Sequence, residues 1–223
     1  IIQSDARAHL KSAGAYDLII SQPSEPWVTG SSALFTVEFF GLMRQKLKKD
    51  GLATQWLQLY GLSNREFLCA LKTFTAVFPD TLIFHQKGAG EILLVGANNP
   101  KSLAQIDSSA YMRAFLSYKG RAAMAGAGID SWETFRNDHL FVLSKEKSLS
   151  ESLQAKLTDI SLNCDDNLLL EYSSGRYLAN KKGASEKQLA ANLAILENKK
   201  NNATMAAFSP DQLPSPVALD QAL

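Results

Sequence analysis

A chain of 223 residues, 46% of them apolar, is long enough for one large domain or for one domain with a tail, and can bury a sizeable core. Its 23 basic and 22 acidic residues leave a formal net charge of +1, which gives no electrostatic footprint for nucleic acid or an anionic membrane surface, so neither partner is expected. No stretch approaches the roughly 18 consecutive apolar residues of a membrane span, and no charged, apolar and small-residue start marks a signal peptide.

In chain order, residues 1 to 4 read as a short buried strand, and with no initiator methionine ahead of them the start reads as a cut through a domain. DARAHLKSAG gives a brief helix closed by Gly14. YDLIIS is short and apolar on both faces, the pattern of a central strand. It runs into SQPSEPW, a loop with Pro23, Glu25, Pro26 and Trp27, and a strand that stops in such a loop commonly stops at a ligand. SSALFTVEFFGLMRQKL has serines for an N-cap and an apolar stripe through Leu34, Val37, Phe40 and Leu47, which predicts a single helix. GLATQWLQL is the next strand. SNRE is a capping box of Ser63 and Glu66, opening a helix with Phe67, Leu71, Phe74 and Phe78 on one face, and Pro79 ends it.

TLIFHQ and EILLVGA, joined by the turn-prone KGAG with Gly88 and Gly90, predict an antiparallel pair at the edge of the sheet. Beyond Pro100, SSAYMRAFLSY and SWETFRNDHLF read as small helices around a flexible GRAAMAGAGID, a helical appendage. LNCDDNLLLEYSSGRYL closes the compact part, a helix is expected at 185 to 198, and FSPDQLPSPVALDQAL reads as a mobile tail. The alternation predicts an α/β fold with a mainly parallel sheet, divided into a domain at 1–178 and a helix plus tail at 179–223.

Cys69 and Cys164 are far apart in sequence and fit reduced thiols of a cytoplasmic setting better than a disulfide framework. His9, His85 and His139 have no metal-ligand spacing with one another or with the cysteines, so no metal is expected.

SDARAHL, YDLIISQPSEPWVTGSSALFTVEFF, GLATQWLQLYGLSNREF with TFTAVFP, and LNCDDNLLLEY stand in the order and spacing of the spermidine synthase-like proteins, the polyamine aminopropyltransferase family. The chain most resembles the bacterial branch in which such a domain is often fused to a transporter-like membrane segment, which implies a cytoplasmic location, either as a separate protein or as the cytoplasmic domain of a membrane protein. The resemblance implies a class I S-adenosylmethionine-dependent methyltransferase-like, Rossmann-like sheet. The co-substrate, S-adenosylmethionine or its decarboxylated form, is then expected at the carboxyl ends of the strands. The reaction implied is aminopropyl transfer to a polyamine.

The family's adenine-binding acid maps to Asp5, which as an acceptor suits an exocyclic amine; Asp5 is equally placed to cap the following helix. The family's D-x-x-D-P loop places Gln22 at the first acid, the catalytic position, and Glu25 at the second, with Pro26 retained. Glutamine can orient an amine but cannot take its proton, so transfer is expected to be impaired or altered. Glu25 can pair with a cationic amine, and Trp27 either adds a cation–π face or plugs the loop. Gln55 and Tyr60 fall where the family lines its amine pocket, while Trp56 alternates away into the core. Asp165 and Asp166 read as turn-forming and capping residues.

In the family's strand order, residues 1 to 4 would be the third strand and YDLIIS the fourth. The glycine loop for the methionine tail and the ribose acid belong to the first two, so the chain alone is expected to hold the nucleotide poorly. The bare edge of YDLIIS is expected to self-pair into a homo-oligomer. Two readings follow: the carboxyl-terminal part of a transferase domain, or a non-enzymatic polyamine- or nucleotide-binding regulatory module. Gln22 favours the second, whereas Asp5, Glu25, Gln55 and Tyr60 favour a retained site.

Overall fold

The strand and helix signals resolve into an α/β architecture around one mixed sheet. The structure, a computed structural model, describes residues 1–85, 89–99, 117–126, 140–143, 156–173 and 185–197. Helix α1 (Ala6–Ser12) leads to strand β1 (Tyr16–Ser21), a 3-10 turn (Ser32–Phe35) and helix α2 (Val37–Gln45). Strand β2 (Leu47–Gln58), helix α3 (Asn64–Val77) and strands β3 (Thr81–His85) and β4 (Glu91–Ala97) follow. Helix α4 (Tyr118–Gly126), strand β5 (Leu140–Leu143) and helix α5 (Ser185–Glu197) complete the described elements.

The five strands lie in the order β1-β2-β4-β3-β5. Only β1 and β2 run parallel, as a βαβ unit with α2 as the crossover; β2–β4, β4–β3 and β3–β5 are antiparallel. The expected mainly parallel sheet is therefore corrected to a mixed one, because the β3–β4 hairpin folds back and inserts β4 beside β2. The hairpin itself forms as the sequence indicates, but it is not at the edge, since β5 pairs with β3.

Other expectations are also corrected. Residues 1 to 4 form no strand, and Ile1 and Ile2 are exposed. Strand β1 is paired on one side only among the described residues, so it is an edge strand rather than a central one, with Leu18 at 49% and Ile20 at 67% exposure. The 31–47 segment is not one helix. Thr36 adopts an extended backbone and its Oγ1 accepts from the Phe39 N–H, so the threonine acts as an N-cap inside the expected helix and divides it. The GRAAMAGAGID segment is helical as far as Gly126, since its alanines are strong helix formers. Leu140 and Phe141, the end of the expected SWETFRNDHLF helix, belong to β5. The rest of that helix, SSAYMRAFL and the proline-punctuated tail lie outside the described residues.

The core forms between one face of the sheet and helices α2 and α3. Phe67, Leu71, Phe74 and Phe78 are fully buried, as the spacing of α3 predicts. Phe74 stands edge-on to Phe40 at 5.1 Å and packs on Phe78 at 4.9 Å. Ala53 and Leu57 of β2, Ile83 of β3 and Ile92 and Leu94 of β4 meet them from the sheet. Trp56 points to the opposite face, as expected, but is half-buried and lies outside this core. The Ser63–Glu66 capping box is present: Ser63 N–H donates to Glu66 Oε2 at 2.6 Å and Glu66 N–H to Ser63 Oγ at 3.3 Å. Helix α5 buries Ile195 and Leu196 in the same core, and Asn192 Nδ2 donates to the Leu59 and Leu62 carbonyls. Among the described residues no helix is long and apolar enough to cross a membrane.

The LNCDDN segment ties these pieces together. Asn163 has no exposed surface; its Nδ2 donates to the Ser32 and Phe35 carbonyls, and its Oδ1 accepts from Leu170 N–H. Its backbone N–H donates to Thr73 Oγ1 and its carbonyl accepts from Val37 N–H. Next to it, Asp165 accepts both Arg7 guanidinium nitrogens, at 2.8 and 2.6 Å, and the Thr36 hydroxyl at 2.7 Å. Asp165 lies in a turn, as its sequence context suggests, yet its carboxylate bridges α1 to the start of α2. Asp166 is exposed in the same turn.

Asn163→Ala removes three buried side-chain hydrogen bonds and orphans their backbone partners, so the variant is expected to lose about 2–4 kcal/mol of unfolding free energy in urea. A loss below about 1 kcal/mol would show that the segment is not held by this side chain. Hydrogen bonding from Arg7 holds the Asp165 carboxyl below its ordinary pKa. The stability this adds is present above the ordinary carboxylate range and fades as pH falls through the lowered value. Because Asp165 is 38% exposed, it amounts to no more than about 1 kcal/mol. Asp165→Asn should be less stable than the parent at pH 7, with the gap closing in acid; a gap unchanged at about pH 2 would sink this assignment.

Candidate functional site

The candidate site is built where the parallel pair ends. The last residue of β1, Ser21, stands in register with Gln55 of β2, so whatever follows Ser21 leaves the sheet beside Gln55. The chain then turns twice: Val28 N–H donates to the Glu25 carbonyl at 3.0 Å and Ser31 N–H to the Val28 carbonyl at 2.8 Å. Ser31 Oγ closes the loop on the Ser24 carbonyl at 2.8 Å, and Gly30 N–H reaches Glu171 Oε2 at 3.3 Å. The loop is thus folded on itself and held from outside by the segment that follows Asn163.

Within it, Pro26 is buried, Glu25 and Trp27 are half-buried, and Gln22 is exposed. Trp27 meets Tyr60 edge-on, with ring centroids 6.4 Å apart and planes at 69°. Gly61 makes this possible. Its φ is +70°, and a Cβ there would stand 2.4 Å from Trp27 Cη2, so the indole rests directly on the Gly61 backbone. The Tyr60 ring in turn lies against Gly90.

Among the described residues the site is acidic and holds no cation of its own. No ion pair or side-chain hydrogen bond is made by Glu25 or by Glu91 among the described residues. Burial, then Glu91, then Glu25 push the Tyr60 phenol up from its ordinary pKa, so the hydroxyl stays neutral. Gln55 is 1% exposed; its Nε2 donates to the Trp56 carbonyl at 3.2 Å while its Oε1 has no partner. A buried amide oxygen with no partner is free to accept from a water or from a ligand N–H.

The structure therefore brings Glu25, Trp27 and Tyr60 together and places Gln55 at the same strand end. Gln22 sits on the loop's exposed side. Asp5 is engaged elsewhere: its Oδ1 accepts from Ala8 N–H at 2.8 Å, which makes it the N-cap of α1. A nucleoside co-substrate needs acceptors for its ribose hydroxyls and a backbone cradle. One free oxygen of an exposed Asp5, beside the open residues 1–4, does not fit such a group.

Among the described residues the histidines make structural contacts. His9 Nε2 is 3.2 Å from the Tyr16 hydroxyl and His85 Nε2 is 3.0 Å from the Ala89 carbonyl; His139 lies outside the described residues. Among the described residues no group of His, Cys, Asp and Glu is placed to hold a metal. Cys69 and Cys164 are free thiols, and burial pushes Cys69 up to about 11, where it is neither nucleophile nor ligand at neutral pH.

Sequence reasoning missed Glu91 and Gln58. Glu91 reads as the first residue of a strand and Gln58 as an alternating polar position; only the β2–β4 register, in which the two are partners, joins them.

Gly61→Ala forces a Cβ into the indole and a strained φ on alanine, so it should unseat Trp27 and cost about 1–3 kcal/mol of stability. Tryptophan emission should shift to the red, and the shift should vanish when Trp27 is also replaced by Phe. Unchanged emission would mean that the indole is not seated on Gly61.

The chain matches no known protein-family model, and a search of curated proteins found no significant match.

Proposed function

We propose that the chain carries the amine-binding side of a spermidine synthase-like domain of the class I methyltransferase type, with the proton acceptor lost. It holds a cationic diamine or polyamine and is a poor aminopropyl transferase. The observation that carries this reading is Glu25: a half-buried carboxylate with no positive partner among the described residues, beside an edge-on pair of aromatic rings.

The chemistry follows from the parts. An ammonium group donates to the Glu25 carboxylate in a charge-assisted hydrogen bond, which partial burial strengthens. The Trp27 and Tyr60 rings offer it their π faces, and the spare Gln55 Oε1 accepts a further N–H. Each of these contacts favours the charged amine. Transfer requires the opposite, since only the deprotonated nitrogen has a lone pair to attack with, and an alkylammonium is almost wholly protonated at pH 7. A carboxylate at position 22 could take that proton; the amide of Gln22 cannot. This reading gives the amine Glu25, Trp27, Tyr60 and Gln55 as partners and gives it no residue to take its proton. The described residues do not supply the contacts of the nucleotide.

Isothermal titration with putrescine and spermidine should show binding, weakened by about 1–3 kcal/mol in Glu25→Gln. Equal affinity of the two proteins would remove Glu25 from the site, and no binding by either would overturn the reading. With decarboxylated S-adenosylmethionine and putrescine supplied together, turnover should stay far below about 1 s⁻¹, and turnover at that rate would refute the loss of the base.

A further inference from the structure

Helix α5 is far from the candidate loop in sequence, and amine binding at Glu25 does not call on it. Its Gln188, Leu189, Asn192, Leu193, Ile195 and Leu196 recur at spacings of three and four, so they share one face. That face is laid on the core: Ile195 and Leu196 are buried in it, and Leu189 and Leu193 pack against it. Gln188 Nε2 donates to Asn64 Oδ1 at the first residue of α3.

In the middle of this apolar contact stands Asn192, with no exposed surface. Asparagine is a poor residue for a helix interior, and here its Oδ1 is buried without a partner. Helix propensity and packing both favour a leucine at such a position. What the asparagine supplies is Nδ2, which donates to the Leu59 carbonyl at 2.8 Å and to the Leu62 carbonyl at 3.0 Å. Those two carbonyls bracket Tyr60 and Gly61, the residues that seat the Trp27 indole. One nitrogen thus ties both ends of the turn and sets the spacing across Gly61, whose φ is +70°. The chain enters the turn from Leu59, whose N–H is on the Gly90 carbonyl, and leaves it at Ser63, whose N–H is on Glu66 Oε2. Leu59 and Leu62 have no exposed surface, so without the Asn192 donor two buried carbonyls are each short of a hydrogen bond.

We propose that α5 is a strap that sets the shape of the candidate site, with Asn192 as its positioning residue. Docked, the helix holds the 59–62 turn in the form that seats Trp27 on Gly61 and against Tyr60. Undocked, it leaves the Leu59 and Leu62 carbonyls to turn toward water, the turn relaxes, and the indole loses its seat. The effect on Trp27 stands on this geometry alone, whereas any effect on a ligand rests on the amine reading of the loop.

The test compares Asn192→Leu, which keeps the bulk and removes both hydrogen bonds, with Leu196→Ala, which loosens the same helix without touching the turn. Both are measured in the full chain at a temperature where far-UV circular dichroism shows them folded. The emission of Trp27 is taken as the difference from the same protein carrying Trp27→Phe. Asn192→Leu should shift that emission to the red and expose it to acrylamide quenching, and Leu196→Ala should leave it as in the parent. Putrescine affinity should fall about 5-fold or more in Asn192→Leu. Trp27 emission that is unchanged in Asn192→Leu, or moved equally by Leu196→Ala, would overturn the strap. Failure of the parent to bind putrescine would remove the amine reading, while the emission still decides the strap. Hydrogen exchange on the parent needs no substitution and serves if Asn192→Leu does not fold. The amides of α5 should open together with those of Leu59 and Ser63, and α5 opening first with those two still protected would overturn the proposal.

Discussion

The arrangement of the whole site depends on one buried side chain amide. Asn163 spends both its amide donors on the carbonyls of the 3-10 turn and its oxygen on the Leu170 N–H, while its backbone reaches α3 through Thr73 and α2 through Val37. The 3-10 turn is the landing point of the loop that leaves β1, so an asparagine far along the chain sets where that loop comes down. Apolar contacts alone are non-directional and would let the turn slide over Phe39 and Phe40. A fully satisfied buried amide allows one position only, because any shift strands several polar groups away from water.

The neighbouring pair of Arg7 and Asp165 extends the same logic at lower strength. It is partly exposed, so it adds little energy, but it joins α1 to the Thr36 cap and thereby fixes the angle at which α2 begins. With α2 packed on α3 through Phe40 and Phe74, the crossover of the βαβ unit is rigid, and the ends of β1 and β2 are held side by side. The loop above them can then hold Glu25 without a counter-charge among the described residues, since the cost of a half-buried carboxylate is borne by a scaffold that is stable for other reasons.

How much of this was legible in the sequence follows the range of each interaction. The α3 stripe of Phe67, Leu71, Phe74 and Phe78 and the Ser63–Glu66 box are local, with periods and offsets that a linear reading captures. The break at Thr36 is local too, but a threonine inside an apolar stripe is ambiguous, and the extended backbone that turned it into a cap is fixed by Asn163 and Asp165 from the far end of the chain. The Asn163–Ser32 and Arg7–Asp165 contacts span 131 and 158 positions, a separation at which no pattern of residue types announces a partner. Position β1 at the edge, and β4 between β2 and β3, depends on pairing that propensities leave open. In the site, Glu25, Trp27, Gln55 and Tyr60 were named from a resemblance and sit at one strand end, whereas Asp5 is occupied as a helix cap.

On the amine reading proposed above, the same geometry separates binding from catalysis at this loop. A group that binds a cation needs only a fixed negative charge and low solvent access, which Glu25 gains from Pro26, Trp27 and the turns that hold them. A general base needs, in addition, to give up its preference for the charged amine at the moment of attack, and that requires a second acceptor of different proton affinity close to the first. Gln22 supplies a carbonyl dipole but no proton affinity in the useful range, and being exposed it is also solvated. On the proposed reading, Glu25, Tyr60 and Gln55 all act in one direction, toward holding an amine in its protonated form. If the proposed reading holds, such a site lowers the energy of the bound amine without lowering that of the transition state, which is what separates binding from catalysis.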